Sequence, residues 1–135
     1  MRPSTLEAYD GPEAYGEGTV SEDLYPEATR EMVELRHKLA PATDDAFRTF
    51  NERVFEDGAL PAKVKQLIAV AVAHVTQCPY CIQGHTKAAL RAGASRDELM
   101  ETVWVGAEMR AGAAIAHALL KLDTVEKRER KPPNS

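Results

Sequence analysis

No stretch of this 135-residue sequence alternates apolar and polar residues as a β-strand should. That absence points to an all-α fold. Long apolar runs are missing too. The longest, "LIAVAVAHV" at 67–75, falls far short of the roughly 20 residues a membrane span needs. A basic excess is also lacking. Lys and Arg number 17 against 21 Asp and Glu, a formal net charge of -4, so the electrostatic footprint of a nucleic-acid-binding protein is absent. The opening "MRPSTLEAYDGPEAYGEG" has no apolar core of a signal peptide, and the expectation is a cytoplasmic protein. Cysteine is scarce as well. The chain has two, Cys78 and Cys81, both within "CPYCIQGH". In a reducing compartment such a pair is expected to be reactive rather than a structural staple.

The length suits one domain with one core, and no segment repeats. Residues 1–20, rich in Gly, Pro and Glu, read as an acidic extended arm that wraps a neighbouring subunit if it is ordered at all. Residues 21–124 read as a helical domain of about five to six helices. Residues 125–135, "VEKRERKPPNS", read as a charged tail that frays. Within the domain, Ala28, Met32, Leu35 and Leu39 fall at helical spacing, and "APATDD" closes that helix. Thr43, Asp44 and Asp45 open the next, with Phe47, Phe50 and Val54 as its apolar stripe. Pro61 suits the first turn of a third. From Leu67 that helix is apolar nearly all round, which places it at the centre of a bundle. Pro79 starts a fourth helix and Gly93 stops it. Ser95 and Glu98 form a capping box for a long last helix, expected to run through Leu122 with a break near Gly112. The small residues of "AGAAIAHA", 111–118, suit close packing in the core or against another subunit.

The chemistry concentrates in "CPYCIQGH". With Cys78 at the N-cap and Pro79 at the first helical position, Cys81 lies in the first turn. Free backbone N–H groups and the positive end of the helix dipole both favour a thiolate there. His85 lies four residues on, over the same face, and is placed to take a proton from the thiol. Cys78, one turn before Cys81, is placed to close a disulfide with it. Three readings stand. The first is a catalytic dithiol. The second is a zinc site of Cys78, Cys81, His85 and a fourth ligand such as His74, although no second CxxC or HxxxH completes it. The third is a pair of small buried cysteines beside an unrelated histidine.

The segment "LPAKVKQLIAVAVAHVTQCPYCIQGHTKAALRAGASRDELMETVWVGAEMRAGAAIAHA" resembles the carboxymuconolactone decarboxylase-like family. Its CxxC-xxx-H pattern is similar to the alkylhydroperoxidase D core. The resemblance covers about residues 40 to 120. It implies an all-α protein assembled as a homo-trimer or homo-hexamer. It also implies a peroxiredoxin-type enzyme with no metal or organic cofactor, working through a redox-active Cys78–Cys81 disulfide. The partners it implies are a hydroperoxide substrate and an external dithiol reductant of lipoyl or thioredoxin type. Carried over by position, Cys81 attacks peroxide, Cys78 resolves the sulfenic acid, and His85 relays the proton.

Two positions depart from the pattern. The family's relay glutamate, twelve residues before the first cysteine, is Gln66 here. An amide holds a water but does not take up and return a proton as a carboxylate does. Tyr80 stands where alkylhydroperoxidase proper has a histidine. Glu108, in the otherwise small and apolar "WVGAEMRAGAA", is the candidate to face the dithiol in place of the missing carboxylate, with a solvated glutamate or a partner for Arg110 as the other reading. Glu101 shares its face. His74 and His117 are expected in packing roles, and His37 in solvent. Trp104 and Tyr80 are candidates to wall the pocket or to fill the core. The alternatives to a peroxidase are a lactone decarboxylase of the same fold, which needs no cysteine pair, and a non-enzymatic structural or binding protein stabilised by zinc.

Overall fold

The computed structural model describes residues 25–131, so the expected arm at 1–20 lies outside the described residues. These residues form five helices and no strand, an all-α protein. Helix α1 (Arg30–Leu39) belongs to a separate compact unit and is considered by itself. Glu31 stands in its first turn and Arg36, His37 and Lys38 in its last, which complements the helix dipole. His37 is half-buried rather than fully in solvent.

The second unit holds α2 (Pro41–Phe55), α3 (Ala62–Thr76), α4 (Pro79–Arg91) and α5 (Arg96–Glu129). Helix α2 begins two residues before Thr43, because Pro41 starts it with a φ already suited to a helix. Asp44 is buried and paired with Arg48 at 2.7 Å. Pro61 caps α3 in an extended conformation instead of lying inside its first turn. The Asp57 carboxylate accepts the Ala62 N–H at 2.7 Å and so satisfies a donor that Pro61 leaves open.

Helix α3 is the centre. It packs against α4 on one side and α5 on another, with α2 also against it. Val70, Ala73, Ala89 and Ala94 are the buried apolar residues among those described. Gly106 of α5 is also buried, and a Cβ built there would lie 3.2 Å from the Ala71 carbonyl oxygen. The absence of a side chain is what lets α5 approach α3 so closely. Gly106→Val is therefore expected to push the two helices apart and to lower unfolding stability by about 1–3 kcal/mol. Urea unfolding with an unchanged midpoint would contradict this.

Ser95 and Glu98 make the capping box that the sequence indicates, with Glu98 N–H donating to Ser95 Oγ at 3.1 Å and Ser95 N–H donating to Glu98 Oε2 at 2.7 Å. Lys63 reaches the same carboxylate at 2.7 Å, tying α3 to the start of α5. The hydrogen bond from Lys63, then that from the Ser95 backbone, holds the Glu98 carboxyl below its ordinary range. Helix α5 runs unbroken through Gly112, contrary to the expected break, since one glycine weakens a helix by only about 1 kcal/mol. It also continues past Leu122 to Glu129, over much of the segment expected to fray. The i,i+4 pairs Asp123–Lys127 and Glu126–Arg130 support that extension.

Large apolar side chains remain uncovered. Phe47 and Phe50 of α2 are 64% and 62% exposed, Trp104 of α5 is 66% exposed and Ile115 is 75% exposed. Ile68 and Val72 of the central helix also face outward. Phe47 and Phe50 belong to the apolar stripe seen in the sequence, and Ile115 to the small-residue segment expected to pack in the core or against another subunit; the single chain leaves both open. No helix among the described residues is long and apolar enough to cross a membrane.

Candidate active site: a dithiol, a histidine and an amide on one cleft

The turn between α3 and α4 sets the position of the cysteines. Gln77 ends α3 in the left-handed region at φ 56, a conformation that a non-glycine residue adopts at a cost of roughly 1–2 kcal/mol. Its N–H and that of Cys78 both donate to the Ala73 carbonyl, which closes the end of α3. The chain then turns at once into α4 with Cys78 at the N-cap and Pro79 at the first position. The Cys78 sulfur accepts the Cys81 N–H at 3.3 Å, an N-cap made by sulfur in place of oxygen. Cys78 and Cys81 are joined as a disulfide, with Cα atoms 5.3 Å apart, within the span such bonds take. From α5, Arg110 donates to the Val75 carbonyl at 2.6 Å, so it serves the end of α3.

One turn past Cys81 on α4, His85 donates its Nδ1–H to the Gln66 amide oxygen at 2.8 Å. With Nδ1 as the donor, Nε2 keeps its lone pair and becomes the proton acceptor. The Phe55 ring lies 5.0 Å from the imidazole, centroid to centroid, and bounds it on the side of α2. Cys81, His85 and Gln66 line a cleft of about 430 Å³ together with Asn51, Phe55, Tyr80, Gly84, Ala88 and Arg91. Cys78, Cys81, Gln66 and His85 are all half-buried. A thiol at Cys81 therefore has the helix N-terminus behind it and an oriented base one turn along the same face.

The other candidates fall elsewhere. Glu108 does not lie in this cleft. It is exposed, and its carboxylate lies beside Gly112, one turn further along α5. The reason is rotational. Gly106 is the residue α5 turns toward α3, and two residues take the chain about 200° round the helix. Glu101 lines a separate groove with Val64, Leu67 and Glu98. His74 donates Nδ1–H to its own Val70 carbonyl at 2.8 Å and lines a third cleft with Ile82, Thr86 and Met100. His117 is exposed. Tyr80 walls the cleft, whereas Trp104 neither lines it nor fills the core. Among the described residues no group of three or more His, Cys, Asp or Glu is arranged to hold a metal ion.

Asn51, Phe55 and Arg91 were not singled out from the sequence. Asn51 and Phe55 come from another helix, which no local pattern links to the CxxC. Arg91 carried a signal, since Cys81, Gly84, Ala88 and Arg91 run at i, i+3, i+7 and i+10 and make one stripe of α4.

The family model of the carboxymuconolactone decarboxylase family matches residues 41–123, which contain every residue of the cleft. The chain belongs to the carboxymuconolactone decarboxylase family. It is 53% identical over 104 residues to "uncharacterized protein 4 in cox locus" of Paracoccus denitrificans, covering 75% of this chain and 93% of that one. Among solved structures, a protein of Methanobacterium thermoautotrophicum is similar at 35% identity and TM-score 0.59, over 62% of this chain and 93% of its own. The apo form of a carboxymuconolactone decarboxylase family protein from Legionella pneumophila is similar at 32% identity and TM-score 0.57, over 72% and 87%. The family's helical fold thus carries the dithiol in this member at the junction of α3 and α4.

Proposed function

We propose that this family member is a dithiol oxidoreductase that reduces hydroperoxides, with Cys81 as the peroxide-attacking thiolate. The observation that carries the reading is the convergence of Cys81, His85 and Gln66 on one cleft, with Cys78 close enough to bond to Cys81. His85 Nε2 accepts the Cys81 proton. The thiolate attacks an oxygen of the hydroperoxide, an S–O bond forms and the O–O bond breaks. The departing alkoxide takes the proton back and leaves as an alcohol, and Cys81 is now a sulfenic acid. The Cys78 sulfur attacks the Cys81 sulfur, the S–S bond forms, and hydroxide leaves and is protonated to water. The two electrons come from the dithiol. An external dithiol, of lipoyl or thioredoxin type, returns them with two protons by exchange. The apolar walls of Phe55 and Ala88 favour an organic hydroperoxide over hydrogen peroxide. Reduced protein supplied with excess dithiothreitol is expected to consume cumene hydroperoxide over many turnovers. Consumption no faster than dithiothreitol alone would overturn the reading.

The working form is proposed to be a homo-trimer or homo-hexamer. What supports this is that few apolar residues among those described are buried, while α2, α3 and α5 expose large apolar side chains that another copy would cover. Sedimentation at micromolar concentration is expected to show no single chain; a monomer there would contradict it.

A further inference from the structure

The dithiol chemistry leaves two polar side chains of its cleft without a task. Asn51 of α2 and Arg91 in the last turn of α4 both line the cleft, and neither makes a hydrogen bond or ion pair with a described residue. Arg48 pairs with Asp44, Arg53 with Glu56 and Arg110 with the Val75 carbonyl; Arg96 and Arg128, like Arg91, make no such contact with a described residue, but neither of them lines this cleft. No aspartate or glutamate lines the cleft, and Gln66 is neutral. In a chain of net charge -4, the fixed charge of this site is therefore one guanidinium. Arg91 and Asn51 are both exposed, so the guanidinium stands at the rim of the cleft, where its charge draws an anion toward the apolar walls without being buried itself. A guanidinium also matches a carboxylate in a two-pronged hydrogen-bonding geometry.

The spacing fits an extended ligand. Cys81 and Arg91 are ten residues apart, about 15 Å along the axis of α4. Side chains of a helix lean toward its N-terminus, which brings the guanidinium back toward Cys81. Between them the wall is Gly84, Ala88 and the Phe55 ring, small or apolar, as a hydrocarbon chain requires. Arg91 also lies where a cation favours the C-terminal end of the helix dipole. That dipolar role alone would not distinguish an acid from its ester.

We propose that Arg91 is the carboxylate anchor of this cleft and that its substrate is an organic hydroperoxide carrying a carboxylate one alkyl chain away, as in a hydroperoxy fatty acid. The peroxide end of this inference rests on the dithiol reading above; the anchored end does not. The test compares a hydroperoxy fatty acid with its methyl ester, as kcat/KM, in wild type, Arg91→Gln and Arg91→Lys, together with decanoate and decanol as protectants of reduced Cys81 against iodoacetamide. The acid is expected to be preferred about tenfold in wild type, the preference falling to near unity in Arg91→Gln and in part retained in Arg91→Lys. Decanoate is expected to protect better than decanol in wild type but not in Arg91→Gln. An acid-to-ester ratio and a protection difference that are the same in wild type and Arg91→Gln would overturn the anchor. Protection that depends on Arg91, without turnover of either hydroperoxide, would uphold the anchor and overturn the peroxide chemistry.

Discussion

Cys81→Ser is expected to abolish hydroperoxide-dependent oxidation, lowering the rate by roughly three orders of magnitude or more, as removal of a nucleophile does. A serine hydroxyl at the start of α4 receives the same backbone N–H groups and dipole, yet it does not ionise near neutral pH and cannot form a sulfenic acid. Cys78→Ser has a different expected result. The first oxidation at Cys81 persists, and the product halts as a sulfenic acid because no second sulfur can attack it. Trapping with dimedone and mass analysis of the labelled peptide reads out both variants. A label on Cys78 in the Cys81→Ser protein, at a rate near that of wild type, would reverse the assignment. The geometry favours Cys81, because the cleft is lined by Cys81 with His85, whereas Cys78 occupies the N-cap and receives the Cys81 N–H.

Gln66→Glu is expected to accelerate thiol oxidation by about tenfold to a hundredfold, the scale on which a better-served general base acts. The Gln66 amide oxygen already takes the His85 Nδ1–H at 2.8 Å, so a carboxylate of nearly the same shape inherits that contact. It adds a negative charge that stabilises the imidazolium formed when the thiol gives up its proton. It can also take up that proton and return it, as the amide cannot. Gln66→Leu is the matching loss. It leaves the His85 N–H without its acceptor and the ring without its orienting contact, and oxidation is expected to slow. Stopped-flow oxidation of the reduced proteins by cumene hydroperoxide measures all three. Equal rates in wild type, Gln66→Glu and Gln66→Leu would show that the Gln66–His85 contact has no part in the reaction.

The local arrangement of Cys78, Cys81 and His85 was legible in the sequence because it is carried by neighbours on one helix. Pro79 fixes where α4 starts, and that start fixes Cys78, Cys81 and His85. Gln66 was legible only through the family resemblance, since nineteen residues and a helix junction separate it from His85. Of the two readings of Glu108 the structure has the exposed one, and the sequence left them open because a carboxylate in an apolar stretch says nothing about rotation round α5. That rotation is set by Gly106 fitting against Ala71, a contact between helices. The long α5 exceeded its expected end for a similar reason. Composition marked "VEKRERK" as a tail, but Lys127 and Arg130 fall four residues after Asp123 and Glu126 and pair with them, which supports the helix. The apolar stripe of α2 was legible as a stripe, and the small-residue segment 111–118 was left open between the core and another subunit, because periodicity shows that a face is apolar and does not say which molecule covers it.

The most direct test of the account is a count of free thiols on freshly reduced protein before and after one equivalent of cumene hydroperoxide. The account predicts two thiols before, none shortly after, and a Cys78–Cys81 disulfide as the product. Two thiols still free after many minutes would contradict it.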